Sequence, residues 1–302
     1  MTLTELRYLV SLAQWRHFGR SADACHVSQP TLSIAIKRLE EELGLQIFER
    51  HRHEVLLTPA GMPIIEQAQR VLNEVDQLCN LARYQADDWT QPLRMGCIFT
   101  VGPYLLPALV ERLRTEQSRL RLYVTEDYTH VLLKALREGD IDVVLVAGPI
   151  DLPETRSVAL YSEPFKLLLP VQHPWTDHTV INMTSLDPSQ MLMLGEGHCL
   201  RDQVLTSCPQ LLTGAEGHLP NGSSLATLRH MVALGIGMTL IPGSAVNTLA
   251  GETESCLCVR SLDPEPGRQI VALSRQRFAR NSALRELMSH LHALHLPGTE
   301  PC

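Results

Sequence analysis

The chain has 302 residues, 44% of them hydrophobic and 20% charged, with a formal net charge of −7 at pH 7. This is enough for two or three compact units of ordinary globular composition, and no apolar run approaches the roughly 18 residues needed to span a bilayer. The eight cysteines include no Cys-x-x-Cys pair, which excludes a zinc ribbon, a thioredoxin-type motif and a disulfide scaffold.

The start, "MTLTELRYLV", lacks a cationic segment and a small-residue cleavage site, so no signal peptide is expected. The expectation is a cytoplasmic protein with reduced thiols, in which a disulfide is transient rather than structural. Residues 1–60 carry seven Lys/Arg and seven Asp/Glu. Charge alone therefore gives no pointer to nucleic acid.

In chain order, helices are predicted from Leu3 to Gln14 and from Gly19 to Cys25, followed by a turn at "HVS". A third opens at the N-cap Ser28, tolerates Pro30 in its first turn, and stops at Gly44. Leu32, Ile36, Leu39 and Leu43 form its buried stripe. Gln29, Thr31, Ser33, Lys37 and Arg38 fall on its other faces, able to exchange hydrogen bonds with base edges and phosphates. This pattern reads as a helix-turn-helix or, equally, as a generic helical hairpin. "IFERHRHEVLLT" predicts a short hairpin. Arg50, His51, Arg52 and His53 at its tip suit either a phosphate-contacting wing or a solvated turn.

A long helix is predicted from the N-cap Thr58 and Pro59. Ile64, Ala68, Val71, Val75, Leu78 and Ala82 alternate spacings of four and three. Such a heptad seam pairs with a copy of itself or packs on its own domain. Pro63 removes one early backbone bond, and "YQADDWTQP" reads as a linker. From Leu93 onward strands and helices alternate: "LRMGCI", "YLLPALVERLRTEQ", "LRLYVTE", "THVLLKALREGD", "IDVVLVAG". This order predicts a mostly parallel sheet with helices on its faces. "EPFKLLLPVQHPW", "SSLATLRHMVALG", "GMTLIP", "RQIVALSRQ" and "SALRELMSHLHAL" continue it as a second α/β half and a closing helix. Two such halves leave a crevice suited to a small ligand. Gly235 and Gly237 precede a strand, the wrong order for a phosphate loop.

"GEGHCLRDQVLTSC" places Cys199 in the first turn of a predicted helix and Cys208 at its end. The helix dipole, His198 and Arg201 would all favour a thiolate at Cys199. A disulfide needs Cα atoms about 4.4–6.8 Å apart, whereas nine helical steps span about 13.5 Å. The thiols are either two unconnected buried cysteines or a pair that bonds only if the segment unwinds.

"HFGRSADACHVSQPTLSIAIKRLEEELGLQIFERHRHEVLLTPAG" resembles the winged helix-turn-helix of LysR-type transcriptional regulators, with Ile47 where the family usually has Leu. "TVGPYLLP", "LMLGEGHCLRDQ", "SLATLRHMVALGIGMTLIP" and "PEPGRQI" resemble the peroxide-sensing members of that family. The resemblance implies an α/β protein with a winged helix-turn-helix over 1–57 and a dimerising linker helix over 58–89. A regulatory domain over 90–302 would have two subdomains of periplasmic-binding-protein type (90–161 with 267–302, and 162–266). It implies that peroxide oxidises Cys199 and that Cys208 resolves the product as a disulfide. Thr100, Thr129 and His130 match the peroxide pocket. His198, Arg201 and Asp202 flank the thiol, and Arg268 matches a residue favouring the thiolate. Ser28, Gln29, Pro30, Thr31, Ser33, Lys37, Arg38, Arg50 and Arg52 would face DNA.

Implied partners are a double-stranded operator, hydrogen peroxide, a homodimer building a homotetramer, a glutaredoxin- or thioredoxin-type reductant, and RNA polymerase. No metal, organic cofactor, enzymatic turnover or membrane is implied. "PQLLTGAEGHLP" and "NTLAGETESCLC" depart from the pattern, the latter adding Cys256 and Cys258. The competing readings are a LysR-type regulator with an organic effector in the crevice, a thiol peroxidase, and a transport-type ligand-binding protein. The last is weakened by the expected lack of a signal peptide.

Overall fold

The structure is a computed structural model that describes residues 1–50, 55–84, 89, 91–212, 222–246 and 254–302. It divides into two compact units, Met1–Ala86 and Asp87–Cys302.

The first unit opens with α1 (Leu3–Trp15), where Thr2 and Glu5 form a reciprocal capping box. Helix α2 (Phe18–Ala24) leads through a turn to α3 (Gln29–Leu43). Ser28 accepts the Thr31 N–H at 3.3 Å, and Gly44 closes α3 with φ of 69°. Leu32, Ile36 and Leu39 are buried with Leu6, Leu9 and Leu12 of α1. The paired strands β1 (Phe48–Arg50) and β2 (Val55–Leu57) form the predicted hairpin. Its tip, including His51, Arg52 and His53, lies outside the described residues.

Helix α4 spans Gly61–Tyr84, its first residue two positions later than the predicted Pro59. Thr58 still acts as a cap: its hydroxyl accepts the Gly61 N–H at 2.9 Å and its carbonyl the Met62 N–H at 3.2 Å. Pro63 therefore sits in the first turn, where its missing N–H has no partner to lose. A Cβ on Gly61 would lie 2.5 Å from the Ile47 carbonyl oxygen, so only glycine lets α4 start against the hairpin. The predicted seam divides. Ala68 is buried and Ile64 half-buried in the α1–α3 core, beside Leu72. Val71 and Leu78 are exposed, at 36% and 66%. The seam's first turns are thus committed within the chain, and Ala82 has no described side chain.

The second unit begins as β3 (Leu93–Ile98), α5 (Gly102–Thr115), β4 (Leu122–Asp127), α6 (Thr129–Glu138) and β5 (Val143–Gly148). Strand β3 pairs in parallel with both β4 and β5. The 16-residue β6 (Thr155–Pro170) is followed by β7 (Val180–Asn182), α7 (Cys199–Ser207), α8 (Leu225–Ala233), β8 (Thr239–Pro242) and α9 (Gly243–Val246). Strands β9 (Leu257–Asp263) and β10 (Gly267–Arg275), helix α10 (Asn281–His292) and strand β11 (Glu300–Pro301) complete it. The main order is β4-β3-β5-β10-β6-β9-β7, with β8 and β11 also paired to β6. Parallel pairing is interrupted at β5, because β10 runs antiparallel to both β5 and β6, and it returns where β7 pairs with β9.

The antiparallel strands arise because β6 leaves one half and β10 returns to it. The first part of β6 pairs with β10, and its end pairs with β8 and β9. Two hydrophobic cores result, one around Leu93–Tyr161 and Ile270–Leu296, the other around Phe165–Leu262.

Candidate thiol site and nucleic-acid interface

Cys199 is the first residue of α7, and Cys208 is the residue that caps its end. All described cysteines are free thiols. The two ends of α7 belong to different cores. Cys199 packs against the first core, whereas Cys208 is fully buried in the second, with Leu200, Val204 and Leu211. Burial pushes the Cys208 thiol above its ordinary pKa, so it stays protonated at neutral pH. Cys97 is more extreme: burial and the nearby Glu126 push it up to about 12.

Cys199 opens onto a small cavity lined by Phe99, Thr100, Tyr128, Thr129, Gly197 and His198, among others. It holds about 10 Å³, close to the minimum for one water-sized molecule. The Thr129 hydroxyl is buried there with no hydrogen-bond partner, so the cavity holds an unmet polar demand. Gly197, with φ of +91°, brings the chain against the Tyr128 ring, which a Cβ would meet at 3.2 Å.

The cavity's back wall is tied down by Arg268. Its guanidinium donates to the Thr100 hydroxyl at 2.8 Å, to the Thr100 carbonyl at 2.9 Å, and to Glu163 at 2.9 Å. Arg268 itself acts through Thr100 and is not a lining residue.

Several sequence expectations need correction. His198 is buried, and desolvation pushes its pKa down, so it is a neutral ring at neutral pH rather than a positive charge beside the thiol. It packs edge-on to Tyr128 at 5.0 Å. Arg201 donates to the Leu194 carbonyl at 3.1 Å, and Asp202 is exposed. His130 stacks on Tyr128 at 5.9 Å and is exposed outside the cavity. Phe99, Tyr128 and Glu163 were not singled out in the sequence. Tyr128 directly precedes a singled-out residue, but nothing in its spacing marks it as a wall.

On α3, Ser28, Gln29, Pro30, Thr31, Lys37 and Arg38 are exposed and Ser33 is half-buried. Lys37 pairs with Glu41 at 3.6 Å. Glu40, also not foreseen, accepts the Ile47 and Phe48 N–H groups at 2.8 and 3.0 Å. It thereby fixes the hairpin against α3. Arg50 is the last residue of β1, opposite Val55, and Arg52 lies outside the described residues. Among the described residues, no helix is long and apolar enough to cross a membrane, and no cluster of three metal-ligating side chains occurs.

A helical unit with an exposed polar recognition helix, in one chain with a two-core α/β unit holding a small cavity, defines a DNA-binding regulator with a sensory domain. Residues 3–62 match the model of the bacterial regulatory helix-turn-helix proteins of the lysR family, and residues 86–295 match the LysR substrate binding domain. The chain belongs to the LysR family of bacterial transcription regulators.

Within that family it is 42% identical over 275 residues to a hydrogen peroxide-inducible genes activator of Pectobacterium carotovorum subsp. carotovorum, covering 91% of this chain and 90% of the relative. Full-length OxyR C199D from Pseudomonas aeruginosa superposes with a TM-score of 0.74 at 41% identity, covering 98% of this chain and 99% of that one. A cysteine-to-serine mutant of Corynebacterium glutamicum OxyR, H2O2-bound, superposes with a TM-score of 0.62 at 30% identity, over 96% and 91% of the two chains.

Proposed function

We propose that the chain is a peroxide-activated transcription regulator of the OxyR type. The observation that carries this reading is the placement of Cys199 in a cavity of about 10 Å³ beside an unpartnered Thr129 hydroxyl. Hydrogen peroxide is small, and it both donates and accepts hydrogen bonds. An organic effector would not fit this space.

The chemistry follows from the residues. The Cys199 sulfur attacks one peroxide oxygen, the O–O bond breaks, and the other oxygen leaves as water with the thiol's proton. Sulfur is oxidised by two electrons to sulfenic acid. The Cys208 sulfur then attacks the Cys199 sulfur, an S–S bond forms, and a second water leaves. Because the thiols are rooted in two different cores, this second step requires α7 to unwind. Redox state is thereby coupled to the packing of the two halves.

The working divisions are a DNA-binding domain over 1–57, a dimerising linker helix over 58–89 and a regulatory domain over 90–302, split at 161/162 and 266/267. The protein acts in the cytoplasm as a tetramer of two dimers on paired half-sites. It is oxidised stoichiometrically without enzymatic turnover, reset by a glutaredoxin- or thioredoxin-type reductant, and works on RNA polymerase. Ser28, Gln29, Pro30, Thr31, Ser33, Lys37, Arg38, Arg50 and Arg52 face the operator.

The test is peptide mapping without reductant, before and after a small excess of hydrogen peroxide. A Cys199–Cys208 linked peptide is expected only after oxidation. Capture of Cys256 or Cys258 in place of Cys208 would refute the resolving role. A Cys199→Ser variant that still responds would favour an organic effector.

A further inference from the structure

Glu163 and Arg268 form an ion pair in which both side chains are 0% exposed. A buried pair of this kind is costly to build and costlier to break, so its location matters. Glu163 lies on β6 and Arg268 on β10, the two strands that pass between the halves of the second unit. The Glu163 carboxylate accepts from Arg268 Nε at 2.9 Å and from the Ser244 N–H at 3.0 Å. Ser244 belongs to α9, in the second half. The other side of the guanidinium grips Thr100, in the first half, through both hydroxyl and carbonyl.

The direction of these hydrogen bonds has a chemical consequence. Arginine only donates, so the Thr100 hydroxyl oxygen must accept from it. The single hydroxyl proton of Thr100 is then left to point elsewhere, and Thr100 lines the Cys199 cavity. We propose that Glu163 is a positioning residue: by holding Arg268 against Thr100, it turns the Thr100 hydroxyl into a donor toward the peroxide oxygen that leaves as Cys199 takes the other one. This rests on the peroxide reading above and assigns part of its chemistry to a residue outside the cavity. The donor stabilises negative charge on the leaving oxygen as the O–O bond breaks, and the proton that completes water still comes from the Cys199 thiol. The same carboxylate ties the cavity wall to α9, so the reacting geometry depends on how the two halves are held.

The experiment compares two reactions of Cys199 in the full-length protein, followed peptide by peptide: oxidation by hydrogen peroxide and alkylation by iodoacetamide. Only the first has a leaving oxygen to stabilise. Glu163→Gln keeps an acceptor for Arg268 but places an amide against the Ser244 N–H. It is expected to slow oxidation at least tenfold without slowing alkylation. Thr100→Val is expected to show the same selective loss, and the double variant to be no slower than either single one.

Equal slowing of both reactions in Glu163→Gln would reveal a merely structural role and overturn the proposal. So would unchanged oxidation, or losses that multiply in the double variant. If Glu163→Gln does not fold, Glu163→Asp carries the test. It keeps the charge but is too short to reach both Arg268 and Ser244, so the same selective loss is required. A wild-type Cys199 that peroxide does not oxidise overturns the peroxide reading and this inference together. Normal wild-type oxidation with an unaffected variant overturns this inference alone.

Discussion

The thiols of α7 differ by environment rather than by type. Cys199 faces a cavity, while Cys208 is sealed in a core that raises its pKa. In the reduced protein at neutral pH, iodoacetamide is expected to label Cys199 at least tenfold faster than Cys208, as read by peptide mass spectrometry. Comparable labelling would mean that α7 already opens without oxidation. His198 makes a second residue-scale prediction. Burial lowers its pKa in the folded state, so the unfolded chain binds the proton more readily. Its share of stability is therefore full above the unfolded value of ~6.5 and is lost as pH falls through that value toward the folded one. Wild type should lose more melting temperature between pH ~7.5 and ~5.5 than His198→Gln does. Equal losses would show that His198 does not contribute to the acid sensitivity.

Elements were largely legible because their punctuation is local. Ser28, Pro30 and Gly44 bound α3, and the 4-3-4 apolar stripe gives its buried face without any knowledge of neighbours. Strand direction was less legible: a βαβαβ order implies parallel pairing, but nothing local says that β6 and β10 cross between halves and run antiparallel. The cavity shows the same limit. Its walls come from the ends of β3 and β4 and the start of α7, and only tertiary packing reveals that the ring of His198 is desolvated or that Glu163 reaches Arg268. Two predictions belong to this scale. Glu40→Ala frees two hairpin N–H groups and is expected to cost about 1–3 kcal/mol of stability in the first unit, with weaker operator binding in a mobility-shift assay. Leu200→Ala removes a buried anchor of α7, worth about 2–5 kcal/mol. Disulfide formation after a fixed peroxide pulse should then be faster, and an unchanged rate would mean that unwinding of α7 does not limit the resolving step.

At the scale of the whole molecule, a chain of net charge −7 must bind a polyanion through a few local cations. One recognition helix offers few of them, which makes assembly part of affinity. The proposed pairing of copies through α4 is testable at its exposed apolar residues. Ala68 belongs to its own core, whereas Val71 and Leu78 are exposed. Val71→Glu with Leu78→Glu would place carboxylates opposite their own copies in a paired α4. At micromolar concentration the double variant is expected to sediment at half the wild-type mass or less, with an unchanged melting temperature for the individual units. Its operator affinity should fall at least tenfold, and its dependence of log affinity on log salt should become shallower, because each isolated chain displaces fewer counterions. A variant that keeps wild-type mass would place the pairing surface elsewhere, and one that loses mass but keeps the wild-type salt slope would separate DNA contact from α4 pairing.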